Sequence, residues 1–265
     1  MTSKEYKEID EVIKYIHQHI YDPLSLSRLS RHISYSPYHF TRIFKGRMGL
    51  SPMYYVASLR LQKAKELLLS TNLPVRDIAM EIGQESLGTF TTRFTERVGV
   101  TPSQFRNSMN QANASIQSLQ KLNDWPSSDL ISNKSPQVKG TVRATVPFKG
   151  IILIGLFIKP IPEGLPKYGT LLSSLGDFCF TDVYPGTYYL MATSVSWEMH
   201  PKDILLTPTT LRARLMEPII LKPDTAVPHQ NVLLDVPQLD DPPILISLPI
   251  LMNNFLNRVL QHRNQ

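Results

Sequence analysis

SLGTFTTRFTERVGVTPSQFR, residues 86–106, decides how the first half of the chain folds. Ser86 reads as a helix N-cap, because a serine hydroxyl can accept a hydrogen bond from an amide that the first helical turn leaves unpaired. Leu87, Phe90 and Phe94 follow at spacings of three and four, which places them on one buried helical face. Gly99 ends the helix, since glycine takes the left-handed conformation that helix ends favour. Thr101 and Pro102 then supply a cap and a favourable first residue for the next helix. Upstream, Val75 to Ile82 reads as another short helix, closed by Gly83. Two short helices joined by a tight turn, the second with a polar outer face, make the pattern of a helix-turn-helix.

The arrangement occurs twice. Leu26 to Ile33 is a short helix, and Pro37 to Met48 follows with Phe40 and Phe44 facing inward. Phe40 matches Phe90, Phe44 matches Phe94, Gly49 matches Gly99 and Ser51-Pro52 matches Thr101-Pro102, each pair 50 residues apart. An internal repeat means two units of one design, and here it means two candidate recognition helices. The run DIAMEIGQES…F…RF…VGVTPSQFR, Asp77 to Arg106, resembles the AraC/XylS family of bacterial transcription regulators. The resemblance covers about residues 1–108 and implies an all-α domain holding two helix-turn-helix units joined by a long helix.

Charge agrees with that division. Of the formal net charge of +6, residues 1–108 carry most, with 15 Lys and Arg against 10 Asp and Glu, while the remainder carries 13 against 12. A basic first half suits a nucleic-acid module joined to something else. There is no apolar run of about 18 residues to span a membrane. MTSKEYKEIDEV at the start lacks the apolar core of a signal peptide. The single cysteine, Cys179, excludes an internal disulfide framework. The expected location is the bacterial cytoplasm, at the nucleoid when DNA is bound.

Along the chain, Ile9, Val12, Ile13, Ile16 and Ile20 form a helical stripe over residues 3–20. Pro52 to Ser70 reads as a long helix with Ala57, Leu61, Ala64 and Leu68 on one face and Arg60, Lys63, Lys65 and Glu66 elsewhere. Residues 109–136, rich in Asn, Gln and Ser, read as a linker, with a short helix open around Ala114 to Leu122. From 137 the apolar period becomes two. Val138 to Val146 alternates, Ile151 to Ile158 is nearly all apolar, and Phe178 and Phe180 alternate with Asp177 and Cys179. Tyr184-Pro185-Gly186-Thr187 is a turn, after which Tyr188, Leu190 and Ala192 resume the alternation. Val138 to Ala192 resembles the transthyretin-like, carboxypeptidase-regulatory-like β-sandwich. Further strand-like runs are Leu211 to Leu221, Asn231 to Val236 and Ile244 to Leu248. Leu251, Phe255, Leu256, Val259 and Leu260 give a terminal helix an apolar face, to dock on the sandwich or to pair with another chain.

A recognition helix turns polar side chains to base edges while its apolar side holds the fold. In the first such helix the outward set is Tyr38, His39, Thr41, Arg42 and Lys45. The resemblance puts Tyr38, Thr41 and Arg42 toward the groove, with Arg42 the candidate for a bidentate contact to guanine. In the second the outward set is Leu87, Gly88, Thr89, Thr92, Arg93 and Glu96. Leu87 and Thr89 suit thymine methyls and Arg93 suits phosphate, whereas the Glu96 carboxylate repels phosphate. His17, His19, His32, His39, His200, His229 and His262 show neither HExxH nor Cys/His metal spacing, and no GxSxG or Walker-type loop occurs. No catalytic residue, metal or cofactor is assigned.

The expected architecture is multidomain α + β: a double helix-turn-helix over 1–108, a linker over 109–136, and a sandwich with a terminal helix over 137–265. The expected function is sequence-specific regulation of transcription on double-stranded promoter DNA, without an enzymatic activity. The resemblance implies that the companion domain senses a small-molecule effector or mediates a homodimer, and RNA polymerase is a candidate partner. The companion normally precedes the DNA-binding domain in this family, whereas here it follows. Two other readings are a ligand-free DNA-bound oligomerisation scaffold, and a carbohydrate-binding sensor built on Tyr184, Tyr188 and Trp197.

Overall fold

A computed structural model describes residues 3–84, 86–122, 125, 136–223 and 226–263. It resolves into two compact units, one of residues 1–106 with 238–245, the other of 107–237 with 246–265.

The first unit is helical: α1 (Ser3–Gln18), α2 (Leu26–His32), α3 (Pro37–Met48), α4 (Pro52–Ser70), α5 (Val75–Glu81), α6 (Leu87–Val98) and α7 (Pro102–Arg106). Local chemistry sets the boundaries. The hydroxyls of Ser25, Ser36, Ser51 and Ser86 accept hydrogen bonds from the amides of Arg28, His39, Tyr54 and Thr89, so four helices begin at a serine cap. Thr101 and Gln104 form a reciprocal capping box at α7. α3 and α6 both stop at a left-handed glycine, Gly49 at φ 72° and Gly99 at φ 89°.

The 50-residue repeat carries through into packing. Phe40 and Phe44 lie 5.6 Å apart between ring centroids, and Phe44 meets Tyr55 edge-on at 5.7 Å. Phe90 and Phe94 are also 5.6 Å apart, and Phe94 meets Phe105 edge-on at 5.7 Å. The repeat therefore extends to the pair Tyr55 and Phe105. These rings are all fully buried, the first set in a core shared by α1 to α4.

Lys65 departs from the expected pattern of α4. It is completely buried, its ammonium donates to the Ile244 carbonyl at 2.9 Å and lies 5.5 Å over the Phe105 ring. A buried cation is tolerated when hydrogen-bonded and set against an aromatic face.

The second unit opens with α8 (Met109–Gln120), which overlaps the short helix left open around Ala114 to Leu122 within the expected linker and starts five residues earlier; residues 123–124 and 126–135 of that stretch fall outside the described residues. The strands are β1 (Val138–Ala144), β2 (Gly150–Phe157), β3 (Tyr168–Leu172), β4 (Gly176–Phe180), β5 (Gly186–Ser196), β6 (Arg212–Arg214), β7 (Ile219–Leu221) and β8 (Gln230–Leu234). One sheet has the order β4-β1-β8, with β1 antiparallel to β4 and parallel to β8. The other has the order β3-β2-β5-β6, with β7 also on β5. Val138, Ile154, Phe178, Leu190, Val232 and Leu234 share one core, drawn from both sheets. β2 is buried at every position, as its unbroken apolar run GIILIGLF requires. Two further helices, α9 (Pro201–Leu206) and α10 (Leu248–Arg263), pack with α8, and α10 also packs on β3.

Several expectations change here. Leu211 to Leu221 is two three-residue strands rather than one. Ile244 to Leu248 is not a strand, because Pro242 and Pro243 precede it and Leu248 already starts α10. β3 and α9 escaped the sequence reading. Phe255 and Val259 of α10 are buried within its own unit, so this helix docks.

Two tests follow from the helical packing. Lys65→Met keeps the volume but leaves the Ile244 carbonyl without its donor, and amide exchange in α4 should report a loss of about 1–3 kcal/mol. Burial pushes the His17 imidazole below its usual 6.5, the Lys63 charge acts in the same direction, and a backbone hydrogen bond with Leu239 opposes them. The unfolded state therefore binds the proton more readily than the folded one. The contribution of His17 to stability is full above pH 6.5 and falls as the pH drops below it. The melting temperature should fall from pH 7.5 to 5.5 by less in His17→Gln than in the parent.

Candidate nucleic-acid interface

α3 and α6 each turn one face to their aromatic core, so their remaining faces are polar and solvent-accessible. On α3, Tyr38 is 81% exposed, Arg42 and Lys45 are exposed, and His39 and Thr41 are half-buried. Tyr38, Thr41, Arg42, Lys45 and Gly46 line one shallow depression. Arg42 Nη2 lies 3.2 Å from His39 Nδ1, while the Thr41 hydroxyl donates to the Pro37 carbonyl at 2.8 Å. Among the described residues neither Arg42 nor Lys45 is paired with a carboxylate, which leaves two cations directed to solvent on one helix face.

On α6, Leu87, Gly88, Thr89, Thr92, Arg93 and Glu96 are all exposed. Arg93 Nη1 donates to Gln84 Oε1 at 3.2 Å, which steers its guanidinium back over the turn before the helix. The structure thus gathers all ten candidate residues into two clusters, five on α3 and five on α6.

Side chains absent from that set hold these helices in place. Arg60, midway along α4, donates to the carbonyls of Ile20 and Asp22 at 3.2 and 2.7 Å. Its guanidinium also lies against Gly83, where an added Cβ would stand 3.0 Å from Nη1 and where φ is 74°. One side chain of α4 therefore touches the segment after α1 and the turn before α6. Arg97 of α6 stacks 4.5 Å from the Tyr54 ring and donates to Ser58, both on α4. Arg47, in the last turn of α3, bridges Asp10 at 2.6 Å and Asp240 at 2.9 Å. Burial opposes its charge, but the two carboxylates outweigh burial and hold the guanidinium above its ordinary range. A signal for Lys65 existed, since it stands four residues after Leu61 and three before Leu68, on the apolar stripe. Asp240 carried none.

Other chemistry is poorly provided. Among the described residues no group of three or more His, Cys, Asp or Glu side chains could hold a metal ion. Burial raises the Cys179 thiol above its usual range, against the Lys139 charge, which disfavours the thiolate a nucleophile needs. Tyr188 is buried with its hydroxyl on the Tyr184 carbonyl, so it offers no platform to a sugar. No helix among the described residues is long and apolar enough to cross a membrane.

A helical unit carrying two exposed polar helices on aromatic cores has the geometry of a helix-turn-helix DNA reader. Residues 29–108 match a family model described as a helix-turn-helix domain. Over 97 residues the chain is 34% identical to YobQ of Bacillus subtilis, an uncharacterized HTH-type transcriptional regulator, covering 37% of this chain and 40% of YobQ. It is 34% identical over 98 residues to AdaA of Bacillus subtilis, a bifunctional transcriptional activator/DNA repair enzyme, covering 37% of this chain and 46% of AdaA. It is 32% identical over 98 residues to the HTH-type transcriptional activator AarP of Providencia stuartii, covering 37% of this chain and 73% of AarP. The chain belongs to the AraC-type family of helix-turn-helix regulators. It spans less than half the length of YobQ and AdaA.

Gly88 offers a test of which surface faces DNA. A Cβ there would meet only Ser86 Oγ, at 3.8 Å, so nothing inside the protein requires glycine. Gly88→Ala should stabilise α6 by about 0.5 kcal/mol and yet weaken DNA binding, because the methyl occupies the space of a closely approaching backbone. Unchanged affinity in a gel-shift titration would place Gly88 outside the interface.

Proposed function

We propose that the chain is a sequence-specific, DNA-binding transcriptional regulator with two helix-turn-helix units, α2–α3 and α5–α6. In this reading α3 and α6 enter successive major-groove segments on one face of promoter DNA. The observation that carries it is the repeated aromatic trio, Phe40–Phe44–Tyr55 and Phe90–Phe94–Phe105, which gives α3 and α6 the same seating. α4, with 19 residues, is about 28 Å long, commensurate with the roughly 34 Å between major-groove segments on one face.

Arg42 is the base-reading residue, paired with guanine, and Tyr38 and Thr41 border the same groove. Lys45 contacts phosphate from the end of α3, as does Arg93 from α6, where Leu87 and Thr89 meet thymine methyls. His39 orients Arg42, and Gly88 and Thr92 allow close approach. For the second unit we propose a transthyretin-like sandwich, supported by two sheets that share one core.

Selection of bound genomic fragments by the full-length chain tests the reading: enrichment of an asymmetric site about two major-groove turns long is expected, and no enrichment would defeat it. On that site Arg42→Ala should lose about 1–3 kcal/mol of discrimination at one base pair. Lys45→Ala should weaken binding to all sequences and lower the slope of log affinity against log salt by about 0.9.

A further inference from the structure

Residues 238–245 lie between β8 and α10 in the chain, yet they pack in the helical unit. Their contacts reach both repeats. In the first, Asp240 Oδ2 accepts from Arg47 Nη2 at 2.9 Å, and the Leu239 carbonyl stands 3.5 Å from the Tyr55 hydroxyl. In the second, the Ile244 carbonyl accepts from Lys65, whose ammonium lies over Phe105. Tyr55 and Phe105 are the matched rings of the repeat, so one eight-residue segment is tied beside both aromatic trios.

We infer that residues 238–245 belong to the DNA-reading machinery and that Asp240 is a positioning residue for α3, acting through Arg47. The inference rests on the proposed role of α3. Arg47 follows Arg42 by five residues on the same helix, and its side chain is only 14% exposed. A guanidinium so enclosed depends on its carboxylates, and removing one leaves charge under-compensated. Asp10 and Asp240 both meet Nη2, so without Asp240 that nitrogen keeps one carboxylate in place of two. With the last turn of α3 released, the helix loses the roll that aims Arg42, and bidentate recognition tolerates little misplacement. Because the segment continues into β8 and α10, a conformational change in that half of the chain has a covalent route to α3. The coupling is reciprocal: binding that needs the docked segment also stabilises its docking.

Electrostatics alone predicts the opposite. Loss of a carboxylate near a cationic face would strengthen binding to every duplex, specific or not. The experiment uses the full-length chain, the duplex obtained by selection and an unrelated duplex of equal length, with D240N, D240E, R47K and R42A. Positioning predicts that D240N lowers the specific-to-nonspecific affinity ratio about tenfold, and that R47K, whose ammonium ends a bond short of the place of Arg47 Nη2, does the same. D240E restores most of the ratio. Amide exchange should quicken at residues 44–48 and stay unchanged in α6. Equal strengthening of both duplexes by D240N, or an unchanged ratio in both D240N and R47K, overturns the inference. An unchanged ratio in R42A instead overturns the assignment of α3 as the reading helix, a separate failure recognised by its own variant. If D240N does not fold, R47K carries the same test.

Discussion

The edge of one ring against the next, Phe44 on Tyr55 and Phe94 on Phe105, is the contact on which the helical unit depends. Each aromatic buries about 150–250 Å² and edge-to-face pairs gain further from their quadrupoles. Because the first two rings of each trio sit four residues apart on one helix, they fix which side of α3 and of α6 faces inward. The polar faces are then determined without any further instruction. Serine caps and left-handed glycines end both helices at equivalent places, so the outward residues also occupy equivalent heights.

α4 turns two similar units into one object. Its Arg60 reaches the segment after α1 and the turn before α6, and its Tyr54 and Ser58 receive Arg97. The cations of this unit therefore divide by burial. Arg47, Arg60 and Lys65 are enclosed and spent on carboxylates, carbonyls or a ring, whereas Arg42 and Lys45 are left to solvent. Net positive charge over 1–108 is consequently a poor guide to which cations are left exposed.

What could be read from sequence was local. Ser86, Gly99 and the 50-residue offset signal themselves through caps, turn chemistry and helical spacing, all of which act within a few residues. The outward set on α3 and α6 followed from the same spacing. Lys65 reads as lying off the face of Ala57, Leu61, Ala64 and Leu68, and the distant Ile244 carbonyl and the Phe105 ring are among the partners that make its burial tolerable. Asp240 and β3 lacked local signals, since their place is set by partners far away in the chain. For α8 a short helix is open around Ala114 to Leu122, but the Asn-, Gln- and Ser-rich composition hides its start at Met109, although Ala112, Ile116 and Leu119 keep a helical spacing and are buried.

The bond from Lys65 to Ile244 spans 179 positions. A ribosome adding about 5–20 residues per second needs roughly ten to forty seconds to cover that distance. During that interval the nascent helical bundle has an ammonium with no carbonyl from this segment to receive it, and Arg47 has Asp10 as its nearer, earlier-made carboxylate. The last turn of maturation thus waits on synthesis of the opposite half of the polypeptide. A truncated translation product ending before residue 238 would carry both α3 and α6 without the segment that finishes the packing of the helical unit.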